Sequence, residues 1–394
     1  MGPTASLILF ALATPSIEVN TLQGEQHTGT LQKINSTSLE IDSQGKASQL
    51  PLKDLMLVSF PKATPPANIL KEPIVVELTE GSRILCANVS VTRRKADLES
   101  PTLGKISVPL SIVASIRFST KDSSFDAKWK ELCKRSLKKD YLVIAKPPTL
   151  DHLDGVVGDM TSEEISFSLG DNTVPVKRPR VFGIIYAPKE KPSLSKAVCR
   201  ADLTDSNSLQ LSSLTWDGTK LNGKLLTGNA VELPVSTLRT LDFSLGKVRY
   251  LSDMEPREVK FTSLYNDPSD ELLFKYRRNR TFENKPLQLG EKKYARGLWI
   301  YPRTYLKYRL GKEYRRFQAI LGIDANARGN GNAHITISGD GKVLLEADVK
   351  KGDKPRVVDL PVANYRELEI LVDFGQDKNN AGDHLDLVEA RIIK

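Results

Sequence analysis

Between residues 17 and 244 the chain states one pattern four times, and a repeat constrains a fold more tightly than any average property does. The first copy, "VNTLQGEQHTGTLQKINSTSLEIDSQGKASQLPLKDLMLVSF", ends at Phe60, and the second, "VVELTEGSRILCANVSVTRRKADLESPTLGKISVPLSIVASIRF", ends at Phe118. Weaker copies run over 141–186 and 197–243. Each holds alternating strands, a turn near glycine and a closing phrase: "LPLKDL..VSF", "VPLSIV.SIRF", "VPVKRPRVFGIIY", "LPVSTL.TLDF". Leu39 and Ile41 alternate with polar residues, as do Leu209 and Leu211, so each strand offers one apolar and one wet face. The steps Leu50-Pro51, Val108-Pro109, Val174-Pro175 and Leu233-Pro234 place a proline where a strand is expected to begin, since no ladder donor is needed there. Units this short must close into a small barrel or pack on a neighbour.

The strand rhythm resembles that of SH3-like and Sm-like small barrels, a resemblance of layout alone. Two repeats are expected over 17–122 and two more over 141–246. Between them, 123–140 predicts an amphipathic helix, with its core at 124–138: Phe125, Trp129, Leu132, Cys133 and Leu137 fall on one stripe and the Lys and Arg residues opposite. Ser123 or Ser124 suits the N-cap and Asp126 the first turn. The helix is expected to be a strut between the two repeat pairs.

With 394 residues the chain predicts roughly two to four domains, and 40% hydrophobic with 27% charged residues is ordinary for globular protein. The net charge of +9 comes with no zinc-finger spacing, helix-turn-helix or RNP-type aromatic motif, so nucleic acid is not an expected partner. Cys86, Cys133 and Cys199 lie far apart with no C-x-x-C pair, which argues against zinc and thioredoxin-type chemistry; they read as small hydrophobes, with one disulfide left open. Residues 1–16 carry a short apolar run, "LILFALA", ending in an A-x-A step, and read as a secretory signal peptide, though no Lys or Arg precedes the run. No other stretch approaches the ~18 apolar residues that a membrane-crossing helix needs. A secreted or periplasmic protein, not transmembrane, is the expectation.

After Leu245 the strands lengthen and aromatics increase. In 294–324, Tyr294, Leu298, Ile300, Leu306, Tyr308 and Leu310 alternate with Arg296, Arg303, Lys307 and Arg309, predicting core strands with a basic, solvated face. Asp340-Gly341 is the strongest short hairpin signal, and "NARGNGN" at 326–332 reads as a loop. "YLSDM", "LGEKKYARGLWIYPRTYLKYRLGKEYRRFQAILGID", "ISGDGKVLL", "LEILVDFG" and "AGDHLDLVEARI" follow in one fixed order over 250–394. That order resembles the NPCBM/NEW2 family, the carbohydrate-binding modules appended to bacterial glycosidases. The resemblance implies a galactose-binding-like β-sandwich jelly roll over 247–394 and a sugar-binding role.

The fold expected is therefore all-β: tandem small SH3-like barrels, one linking helix and a jelly roll. Candidate carbohydrate-binding residues are Trp299, Tyr301 and Arg303 in the turn after a core strand, Asn326 and Asn330 in the loop, and Asp383, His384 and Asp386 near the last strand. Asp383 and Asp386 are also candidate oxygen ligands for a structural Ca²⁺, or ties of the loop to the backbone. Where family members show a G-x-H type of turn this chain has Gly297-Leu298-Trp299, and where they show "DHADWADA" a leucine, Leu387, replaces the tryptophan. G-x-S-x-G, H-E-x-x-H, the P-loop and the dinucleotide fingerprint are absent, and four dispersed histidines make no triad. The expected function is non-catalytic binding of a polysaccharide or glycoconjugate. The alternatives are an assembly protein with protein partners at the cell surface and, third, a cryptic polysaccharide hydrolase.

Overall fold

The structure, a computed structural model, describes residues 14–188, 193–216, 218, 220–263, 270 and 273–394. The apolar run of the expected leader lies outside them. The protein is all-β, and it divides into two compact units, Met1–Leu245 and Gly246–Lys394.

The first unit contains the four repeats, with the second strand of the second repeat broken into Arg83–Cys86 and Asn88–Thr92. In the first, Ser16–Thr21, Gln26–Ile34, Ser38–Ser43 and Lys46–Pro51 form an antiparallel meander, and the fifth strand, Leu55–Ser59, returns to pair with the first. The fourth repeat copies this with Cys199–Leu203, Ser208–Trp216, Leu221–Leu225, Ala230–Leu233 and Leu238–Asp242. The pairing thus curls into the order 5-1-2-3-4. Among the described residues no ladder joins fourth to fifth strand within a repeat, so a closed SH3-like barrel goes further than the pairing does.

The recurring prolines sit at the end of the fourth strand, not at the start of a strand. Pro51, Pro109 and Pro234, with φ of −63°, −60° and −68°, each open one turn of 3₁₀ helix: Leu52–Asp54, Leu110–Ile112 and Val235–Thr237. The ring fixes the φ that this entry needs, and the missing N–H ends the ladder. The third repeat differs, because Pro175 stays within its edge strand Asn172–Lys177 and the turn Arg178–Arg180 follows.

Repeats pair through their fifth strands in a nested manner. Leu55–Ser59 joins Leu238–Asp242, and Val113–Arg117 joins Gly183–Ile185, so the first repeat partners the fourth and the second the third. The aromatics that close each copy carry the reciprocal bonds. Phe60 N–H donates to the Arg239 carbonyl at 3.0 Å and Phe243 N–H to that of Met56 at 2.9 Å; Phe118 N–H donates to Phe182 and Tyr186 N–H to Ala114, both at 2.9 Å. Sequence order suggested first with second; burial of the shared fifth strands decides otherwise. One continuous core, including Ile17, Leu39, Ile41, Val58, Leu209, Leu211 and Leu241, fills the unit.

The helix is shorter than expected, Asp126–Cys133 after a 3₁₀ turn Ser123–Phe125 whose Ser124 N–H is capped by the Asp122 carboxylate. It is a lid on the third repeat, not a strut. Phe125, Trp129 and Leu132 pack on Val143, Leu150, Phe182 and Ile185. Cys86, Cys133 and Cys199 are free thiols.

The second unit is a sandwich of two antiparallel sheets. One runs Arg277–Arg278, Gly297–Ile300, Leu385–Ile393, Arg316–Ile323, Arg356–Pro361, with Val248–Tyr250 also on Leu385–Ile393. The other runs Glu258–Phe261, Thr304–Arg309, Glu367–Phe374, Asn332–Gly339, Lys342–Lys350. Leu298, Ile300, Leu306, Tyr308 and Leu310 all enter the core between them, as their alternation requires. Asp340 and Gly341, with φ of 47° and 79°, make the expected hairpin turn.

Candidate functional site

At one end of the sandwich loops link Gly297–Ile300 to Thr304–Arg309, Arg316–Ile323 to Asn332–Gly339 and Glu367–Phe374 to Leu385–Ile393, and most of the sequence candidates gather there. The loops 324–331 and 380–384 meet backbone to backbone. A Cβ on Gly331 would lie 2.0 Å from the Gly382 carbonyl oxygen, and one on Gly382, at φ +86°, 2.3 Å from that of Arg328. Glycine is required here by close approach as well as by turning.

Trp299 and Tyr301 do not offer a stacking face. Trp299 is fully enclosed and Tyr301 is 7% exposed, in a second small core with Leu287, Leu289, Tyr294 and Val388. The hairpin Leu287–Leu289 with Lys292–Tyr294 supplies three of those residues, so strand Gly297–Ile300 is buried on both faces. Tyr301 stacks on Phe274 at 4.1 Å and its hydroxyl donates to the Asn380 carbonyl. Arg303, in the left-handed region at φ 61°, donates to the Ser263 carbonyl at 3.0 Å, tying the turn to the stretch just past strand Glu258–Phe261.

The two aspartates turn inward. Asp383 accepts the Asn332 N–H at 2.6 Å, and burial raises its carboxyl to about 6. Asp386 is raised well above the ordinary carboxylate value, first by burial and then by Asp324 beside it. The Gln288 N–H reaches both carboxyls, at 3.1 Å to Asp386 and 3.3 Å to Asp324. Asp324 also accepts the Asn326 N–H at 2.7 Å. These contacts are ties of loop to backbone. Among the described residues no group of three or more His, Cys, Asp or Glu is placed to hold a metal ion.

His384 faces the other way. It is half-buried, and its ring meets Trp299, Phe282 and Tyr301 edge-on at 5.2, 5.3 and 5.7 Å. Its carbonyl accepts the Asp324 N–H at 2.8 Å, which fixes the backbone, while its ring nitrogens bond to no described group. Burial lowers its pKa below the ordinary histidine value, opposed by Asp324 and Glu283. At neutral pH the imidazole is therefore uncharged, able to donate from one nitrogen and accept at the other.

The open ring beside it is Phe282, 38% exposed and 5.5 Å from Trp299. Glu283 follows, paired with Lys285 and within electrostatic reach of Arg328 and His384. Lys351 donates to the Ala327 carbonyl at 2.6 Å and its charge also reaches His384. Asn326, Arg328 and Asn330 are exposed on the loop. Phe282, Glu283 and Arg328 were missed from sequence. The available signal was a lone phenylalanine in the polar stretch "RNRTFENK", outside any strand pattern.

Residues 247–393 match the family model described as NPCBM/NEW2 domain. Over 102 residues, 25% of this chain, the sequence is 29% identical to a Renibacterium salmoninarum protein named "Putative endo-alpha-N-acetylgalactosaminidase". Over 118 residues, 29% of this chain, it is 29% identical to alpha-1,3-galactosidase B of Akkermansia muciniphila. The chain spans 7% and 15% of the lengths of these two relatives. A solved structure, CBM51 from Clostridium perfringens GH95 in complex with methyl-galactose, is similar at a TM-score of 0.33 and 16% identity, over 37% of this chain and 99% of that one.

Proposed function

We propose that the second unit, which matches the NPCBM/NEW2 domain, binds a glycan non-catalytically at the loop end of the sandwich, and that the protein does so outside the cytoplasm. One observation carries this: an exposed aromatic face, Phe282, lies against a neutral, unengaged imidazole, His384. A pyranose presents an apolar C–H face to an aromatic ring and hydroxyls at its edge, and the loop offers Arg328, Asn326, Asn330 and Glu283 around that edge. Both curated relatives are named for cleaving galactose-configured sugars, so galactose and N-acetylgalactosamine are the first ligands to try.

Calorimetry of the whole chain with both monosaccharides tests the proposal. Binding is expected, weakened roughly tenfold or more by Phe282→Ala and by His384→Ala, the loss of a stacking face or of a hydrogen bond. Absence of binding across a broad glycan array would overturn it and favour the alternative assembly role.

A further inference from the structure

The opposite end of the same sandwich holds a second concavity, an open groove of about 1400 Å³ between the end of strand Thr304–Arg309 and the Asp340-Gly341 hairpin. Its acidic groups are already engaged. The Asp340 carboxylate accepts the backbone N–H of Arg366 at 3.1 Å and of Glu367 at 2.9 Å. Glu367 is bound by Arg257 at 2.7 Å and Lys307 at 3.3 Å, and Glu369 by Lys307 at 3.5 Å. Its other cations are not engaged: the side chains of Arg309, Lys312 and Arg366 line the groove with no ion pair or hydrogen bond among the described residues. Arg309 lies directly across the ladder from Glu367, whose carboxylate already has two cations.

The backbone under these cations is braced. Leu310 and Gly311 donate to the Arg366 carbonyl at 2.7 and 3.0 Å, and Lys312 donates to that of Tyr365 at 3.1 Å. Lys312, Asp340 and Asn364 all sit in the left-handed region, at φ of 64°, 47° and 72°. Three positive groups on a braced frame leave less to be ordered when an anion arrives.

We propose that this groove is a second saccharide site, selective for an acidic sugar whose carboxylate or sulfate ester sits among Arg309, Lys312 and Arg366. It rests on the reading that this unit binds glycans, but at a different place. The mixed rim favours a saccharide over a polyphosphate: Asn364 and the remaining lone pairs of Glu367 and Glu369 can accept bonds from sugar hydroxyls, which a polyphosphate chain lacks.

Affinity electrophoresis of the whole chain in gels containing polygalacturonate, dextran sulfate or plain dextran tests it. Retardation is expected in the first or second, identifying carboxylate or sulfate as the source, with none in plain dextran, and it should decline with added salt. The double substitution Arg309→Ala with Arg366→Ala should weaken it roughly tenfold, while leaving the circular dichroism spectrum and galactose binding unchanged. His384→Ala should do the reverse. No retardation by either acidic polymer, retardation that the double substitution leaves intact, or equal retardation by single-stranded DNA would each overturn the proposal. None of those results touches the galactose measurement.

Discussion

Asp383, His384 and Asp386 looked in the sequence like one polar group with a shared task, and the strand divides them. Both carboxyls are drawn into the interior to hold loops, and the imidazole alone is left facing the aromatic ledge. Their titrations follow. Burial lifts the folded Asp383 to about 6, above the ~3.9 of an unfolded aspartate. The folded form holds the proton more tightly, so the stability linked to this group is full below about pH 4 and is lost as pH rises through about 6. Removing that titration with Asp383→Asn should shift urea midpoints in favour of the variant by on the order of 2 kcal/mol between about pH 4 and about pH 7; a constant gap between the two proteins would refute the assignment. His384 behaves oppositely with respect to ligand. Its pKa lies below the ordinary histidine value, so glycan affinity should hold through neutral pH and fall in acid as the ring gains a proton, and a profile unchanged by His384→Ala would count against its role.

At the level of elements, the sequence located strands well and misjudged what covers them. Alternation in 294–324 placed Leu298, Ile300, Leu306 and Tyr308 in the core correctly, yet Trp299, expected in a turn with a binding role, is buried in the strand, because periodicity reports one buried face and is blind to a hairpin laid over the other. The helix gives a similar lesson: its stripe was legible, its target was not. Gly183 supplies the missing information, since a Cβ there would come within 2.6 Å of the Trp129 ring. Gly183→Ala should therefore push the helix off the third repeat, costing about 1–3 kcal/mol. Trp129 emission should shift to the red, read against a Trp216→Phe, Trp299→Phe background; unchanged stability and emission would show that the helix packs elsewhere. The prolines were read as strand starts because both ends of an edge strand tolerate a missing N–H, and the local sequence does not distinguish them.

For the molecule as a whole, the nesting of repeats has a direct test. Ser59 and Thr240 face each other across the junction of first and fourth repeats, at a position flanked by the bond from the Phe60 N–H to the Arg239 carbonyl. Such non-hydrogen-bonded antiparallel pairs bring Cβ atoms within reach of a disulfide. Oxidation of the Ser59→Cys, Thr240→Cys double variant should yield that cross-link by peptide mapping in the folded monomer; failure to form it would contradict the first-with-fourth arrangement. The sequence by itself determined that this chain is all-β, that its first part states one strand-rich pattern four times, and that its last part has the motif order of a carbohydrate-binding sandwich. Those properties are local: alternation, turn residues and closing aromatics are written within a few neighbouring positions. Only the tertiary structure decided which repeats pair, which aromatic keeps an open face, and which polar groups are ties and which are free. Those depend on which other segment lies over a given surface, as the hairpin carrying Leu287 and Leu289 does for Trp299, and alternation within one strand does not encode that cover.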